Sequence, residues 1–100
     1  MDGRERIAEL LDTVVSRARA LLDGGGVPPA EASNAMMFYV LADHLLSATR
    51  AADQPLNPAT LAGGLRQLQA RCSGTLADQR PRIQDALDEA ENVDWEFRTA

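Results

Sequence analysis

One histidine, one cysteine and four serines are the side chains from which this chain would have to build acid–base or nucleophilic chemistry. His44 follows Asp43, and an imidazole beside a carboxylate is the raw material of a general base or of one arm of a metal site. A metal site needs three or four converging ligands, however, and the chain has no second histidine. Leu41 stands three residues before His44, so the Glu-x-x-His step of carboxylate-bridged di-iron bundles is missing as well. The pair reads as a helix-surface Asp-His with one side of the ring against a bundle. Cys72 would become a nucleophile if a neighbouring base lowered its pKa. It keeps step with Leu65, Leu68 and Leu76, which predicts a buried structural thiol instead. None of Ser16, Ser33, Ser47 and Ser73 sits in a Gly-x-Ser-x-Gly elbow. Gly24-Gly25-Gly26 and Gly63-Gly64 lack the spacing and the following Lys-Ser/Thr of a phosphate-binding loop. The expectation is a chain with no catalytic residue, no cofactor and no bound metal.

Two features carry interaction rather than reaction chemistry. The stretch after Gln84 holds Asp85, Asp88, Glu89, Glu91, Asp94 and Glu96 with no basic residue between them. A concentrated negative surface speeds association with a basic partner and selects against acidic competitors. Trp95 and Phe97 close the chain, and tryptophan is enriched among the residues that anchor interfaces. Asp88, Glu89, Glu91, Trp95 and Phe97 are therefore the expected contacts to a protein partner, one with a basic surface. The second feature is the run from Ala35 to Ala42, whose members Met36, Met37, Phe38, Tyr39 and Val40 are apolar on every side of a helix. Such a helix is either buried centrally or shared across an oligomer interface, which marks these five residues as a candidate homodimer face.

A third segment, Asn57 to Arg71, resembles the recognition helix of winged-helix regulators, though over too little of the chain to identify a family. That resemblance would place Arg66 and Arg71 near phosphates or bases. Charge opposes it: the chain carries 15 acidic against 10 basic residues, a net −5, with no basic cluster. Phosphate-backbone binding is driven by cation contacts, so nucleic acid is an unexpected partner, and the same argument disfavours anionic membrane surfaces.

The elements that must position these residues are helical. With only four aromatic residues, the core has to come from Leu, Ala, Val, Ile and Met, which suit helices better than sheets. Ile7, Leu10, Leu11, Val14, Val15, Ala18, Leu21 and Leu22 line one face of a first helix. The glycine triplet stops it, and Pro28 and Pro29 can only open the next one. Asn57-Pro58 is an N-cap followed by a first-turn proline. Gly63-Gly64 inside that third helix costs roughly 1 kcal/mol per glycine, and a tight crossing by a neighbour is the expected reason. Pro81 breaks or kinks the chain near Gln79, with two helices preferred over a single bent one. The expected fold is an all-α, up-and-down bundle of three to four helices over about 4–23, 29–52, 58–78 and 81–92, with an acidic, aromatic tail at 93–100. One domain of 100 residues accommodates this.

All ten basic residues are arginine, a bias expected of a GC-rich bacterial genome. No apolar leader with a cleavage site opens the chain, no stretch approaches the ~20 apolar residues of a membrane span, and a single cysteine forms no internal disulfide. A cytoplasmic location follows as the default. The functional expectation is a small non-catalytic protein–protein interaction module of the adaptor, inhibitor, immunity-protein or secretion-chaperone kind. The alternatives are a nucleic-acid-binding regulator built on 57–71 and a structural homodimer subunit of a larger assembly.

Overall fold

Ile7, Leu10, Leu11, Val14, Val15 and Ala18, the stripe that predicts the first helix, are the residues α1 (Gly3–Asp23) buries. The computed structural model describes residues 3–51, 53–54 and 56–92. At the end of α1 the chain reverses through a left-handed glycine, Gly25, at φ +70°. The N–H of Gly26 then donates to the carbonyl of Leu21 at 2.9 Å, the six-to-one bond by which a helix satisfies its last carbonyls.

Pro29–Glu31 form a single 3₁₀ turn, and α2 proper runs over Ala32–Arg50. The expected helix at 29–52 is therefore shorter at both ends. Consecutive prolines remove the donors that a regular first turn uses, and Ala51 leaves the helical region at ψ 82°. The third helix, α3 (Pro58–Ala70), starts as its sequence demands: Asn57 Oδ1 accepts from the N–H groups of Ala59 at 2.9 Å and Thr60 at 3.3 Å.

The expected continuation of that helix to 78 does not occur. The chain leaves it at Arg71, extends through Ser73 and turns at Gly74, where φ is +58°. A 3₁₀ stretch, Gly74–Gln79, follows before α4 (Arg80–Asn92). Cys72 and Leu76 are buried, as their phase with Leu65 and Leu68 implied. They reach the core from a turn rather than from a helix, which periodicity alone does not distinguish. Pro81 lies in the first turn of α4, the one part of a helix that tolerates it, so 58–92 is two helices rather than one kinked helix.

The four helices close a ring in which α1 packs on α2 and α4, and α3 packs on the same two. Alternating directions follow from the contacts at the two ends. Arg4, at the start of α1, meets the end of α2, whereas Asn34, at the start of α2, meets the end of α3. The fold is thus the all-α up-and-down bundle its sequence implies, with Phe38, Ile7, Leu11, Leu61, Leu65, Leu68 and Ile83 among the fully buried side chains at its centre.

Of the α1–α2, α2–α3, α3–α4 and α4–α1 packings, α2–α3 is the least extensive, yet at one point the two helices approach closely. A Cβ added at Gly64 would lie 2.6 Å from Cδ2 of Leu45, while one added at Gly63 would meet nothing within 4 Å. The expected close crossing is real and belongs to one glycine of the pair. Replacing Gly63 by alanine should therefore raise stability by up to about 1 kcal/mol through helix propensity. Gly64→Ala should lower it, because the buried Leu45 must leave its rotamer at a cost of about 1–3 kcal/mol. Urea unfolding of the two variants measures both shifts, and their opposite signs are the expected result.

Candidate interaction surface

The helix that presents the surface, α2, is fixed at both ends by side chains from outside its own span or by its own side chains reaching away. At its base the Arg4 guanidinium donates from Nε to the carbonyl of Thr49 at 2.7 Å and from NH2 to Ala51 at 2.6 Å and Gln54 at 3.2 Å. A cation on the last carbonyls satisfies groups that have no partner within the helix and opposes the negative end of its dipole. At its head, Asn34 Nδ2 donates to the carbonyl of Arg71 at 2.8 Å, and Arg71 NH1 returns a bond to Asn34 Oδ1 at 3.3 Å. Just before the helix, Glu31 Oε1 accepts from the Thr75 N–H at 2.9 Å and the Thr75 hydroxyl at 3.0 Å. Gly74 makes room for that carboxylate, since a Cβ there would overlap it.

Held this way, α2 turns Ala35, Phe38, Ala42, Leu45, Leu46 and Thr49 inward. The buried Thr49 hydroxyl is satisfied by the carbonyl of Leu45 at 2.7 Å. The opposite side carries Met36 and Met37, each 50% exposed, and Val40, 58% exposed. These three are the exposed large apolar residues among the described ones, and they occupy little more than one turn of a single helix. The candidate face at 36–40 thus divides: Phe38 is fully buried in its own bundle, Tyr39 is half-buried, and Met36, Met37 and Val40 point away. Ser33, Asp43, His44 and Ser47 continue the same outer side and are exposed. The composition of the run concealed this division. The signal that could have shown it is the recurrence of Ser33, Met37, Val40, His44 and Ser47 at steps of four and three, a seam of its own beside the inward stripe.

The chemistry-bearing residues lie apart from one another. His44 and Asp43 sit on this outer face of α2. The Cys72 thiol is buried and donates to the carbonyl of Leu76 at 3.0 Å. Among the described residues no three of His, Cys, Asp and Glu converge as a metal site would require. Burial raises the Cys72 pKa above its ordinary value, and the nearby Asp78 adds to the effect; Arg80, which hydrogen-bonds the Cys72 carbonyl, works against it.

The acidic candidates on α4 are partly committed within the fold. Glu91 pairs with Arg66 at 2.7 Å, joining α4 to α3. Asp88 is exposed and accepts from Gln84 Nε2 at 2.8 Å, and Glu89 is half-buried. Trp95 and Phe97, with the rest of 93–100, lie outside the described residues. The two arginines singled out in 57–71 are engaged as well, Arg66 with Glu91 and Arg71 with Asn34. Comparison of the chain with family models, with curated proteins and with solved structures finds no match.

A thiol held in this state has two measurable consequences. Its reaction with a disulfide reagent in the native protein should be orders of magnitude slower than in urea, because the attacking thiolate is both scarce and covered. A folded-state pKa above the unfolded one stabilises the fold below the ordinary thiol value of 9.0 and loses that contribution as pH rises through the folded value. Stability should therefore fall at alkaline pH in the wild type more steeply than in Cys72→Ala.

Proposed function

We propose that this chain is a small non-catalytic protein–protein interaction module and that it binds through the outer face of α2. The observation that carries the reading is the concentration of exposed large apolar side chains at Met36, Met37 and Val40. Scattered apolar residues on a surface need no explanation, whereas a contiguous patch rimmed by polar groups marks a contact site. Methionine suits that role because its flexible, polarisable side chain fits partners of varied shape. The patch is rimmed by Ser33, Asp43, His44 and Ser47, and a polar rim around an apolar centre is the usual anatomy of an interface.

The engaged state of Arg66 and Arg71 and the net charge of −5 weigh against a nucleic-acid partner. The burial of Cys72 weighs against covalent catalysis. Val40→Glu tests the reading directly, since the residue is exposed and a carboxylate there leaves the core untouched. Tagged wild type, purified from the cells of origin, should retain a stoichiometric protein (another copy of the chain included) that the Val40→Glu form loses while keeping its helicity. Equal retention by both forms, or none by either, would refute the assignment.

A further inference from the structure

We infer that Met36 and Met37 are a reversible modification site, oxidised to sulfoxides by hydroperoxides, and that on the interaction reading above their oxidation closes the outer face of α2 to its partner while the bundle stays folded.

The described residues hold three sulfur atoms, and the fold sorts them into two classes. Cysteine is the sulfur that peroxides ordinarily attack, as a thiolate. Here the Cys72 side chain is fully buried, its S–H donates to the carbonyl of Leu76 at 3.0 Å, and burial keeps it in the thiol form. Met36 and Met37 are each 50% exposed. A thioether has no proton to lose, so its oxidation depends on access rather than on ionisation, and access favours the two methionines. The step transfers one oxygen. The sulfur lone pair attacks the hydroperoxide, the O–O bond breaks, an S–O bond forms, and water or an alcohol leaves. Sulfur is oxidised by one electron pair and the peroxide is reduced by the same pair. Reversal consumes two thiols, which become a disulfide as the oxygen departs in water. The chain's single cysteine is buried, so those thiols belong to a separate sulfoxide reductase.

Consecutive residues of a helix point about 100° apart, so the two thioethers straddle Val40 instead of stacking. Met36 shares the line of Asp43 and Arg50, and Arg50 pairs with Asp12 of α1. Met37 comes three residues after Asn34, whose amide meets the end of α3. One methionine thus flanks the apolar patch on the α1 side and the other on the α3 side. The inward packing of this turn belongs to Ala35, Phe38 and Ala42, all buried. Sulfoxides at 36 and 37 therefore reach both flanks of the patch and take nothing from the core. A sulfoxide oxygen accepts hydrogen bonds, and a partner shaped to cover two thioethers would bury both oxygens unpaired.

Hydrogen peroxide added to the purified full chain tests the site. Peptide mass mapping should find one added oxygen on each of Met36 and Met37, at rates within a few-fold of those in urea, while Cys72 stays a free thiol until urea is added. Circular dichroism should not change, and the oxidised chain should leave a hydrophobic-interaction column earlier. Oxidised bait should hold the protein retained by wild type roughly tenfold more weakly or worse, and treatment with a methionine sulfoxide reductase should restore retention. The double variant Met36→Leu, Met37→Leu stays apolar at similar volume, so its retention should survive peroxide. Oxidation of Cys72 ahead of the methionines would overturn the inference, as would loss of helicity with the sulfoxides or an equal loss of retention by the leucine variant after peroxide. If Val40→Glu abolishes retention and the sulfoxides do not, the switch falls and the interaction reading stands. If neither changes what is retained, both fall.

Discussion

Leu45 fills the space that a side chain at position 64 would occupy, and this one close approach governs how α2 sits in the bundle. A helix in a four-membered ring has two freedoms that matter here, its distance from its neighbours and its rotation about its own axis. Gly64 sets the first by letting α3 come close. Leu45, together with Phe38 and Ala42 on the same inward stripe, sets the second. Once those three point to the core, geometry puts Met36, Met37 and Val40 on the far side, because residues at those offsets lie roughly opposite on a 3.6-residue repeat. The exposed apolar face is therefore a consequence of how the core is filled, not a local accident of loose packing.

The polar contacts reinforce the same placement. Helix ends leave unpaired carbonyls and N–H groups that must find partners. In this chain several of those partners come from distant sequence: Arg4 reaches the end of α2, Asn34 reaches the end of α3, and Glu31 reaches the N–H of Thr75. Each contact fixes a register between two elements, and together they hold α2 from both ends. By contrast, the ion pairs Arg17–Asp78, Arg19–Asp23 and Arg50–Asp12 are longer and between exposed side chains. Pairs of that kind add little to stability; Arg19–Asp23 lies within α1, whereas Arg50–Asp12 marks where α2 borders α1.

Much of this architecture was legible in the sequence, for identifiable reasons. The first helix and its end follow from an uninterrupted apolar stripe and a glycine triplet whose middle member takes the left-handed turn. Asn57-Pro58 marks the start of α3 because capping chemistry is local. The end of α3 is hidden in the sequence because Cys72 and Leu76 stay in phase with the helical stripe after the backbone has left the helix; Gly74, with its left-handed backbone, is the local sign of the break. Which glycine of the Gly63-Gly64 pair meets a neighbour depends on the rotation of α3 against α2, and no local pattern contains that. The same holds for the run at 35–42: an all-apolar helix tells nothing of which side will be left uncovered, and only the packing separates Phe38 from its neighbours Met37 and Val40. The acidic residues of α4 were visible as a cluster, but the pairing of Glu91 with Arg66 needs the tertiary fold.

The clasp made by Arg4 has a consequence for how the bundle opens. The first turn of a helix and the last turn of another ordinarily fray independently, each with a small free energy of its own. Here one guanidinium holds carbonyls at Thr49, Ala51 and Gln54 while belonging to the opening turn of α1. Unwinding either end releases the other, so the base of the bundle behaves as a single cooperative unit whose backbone amides exchange with solvent together, although its two halves are separated by most of two helices in the chain.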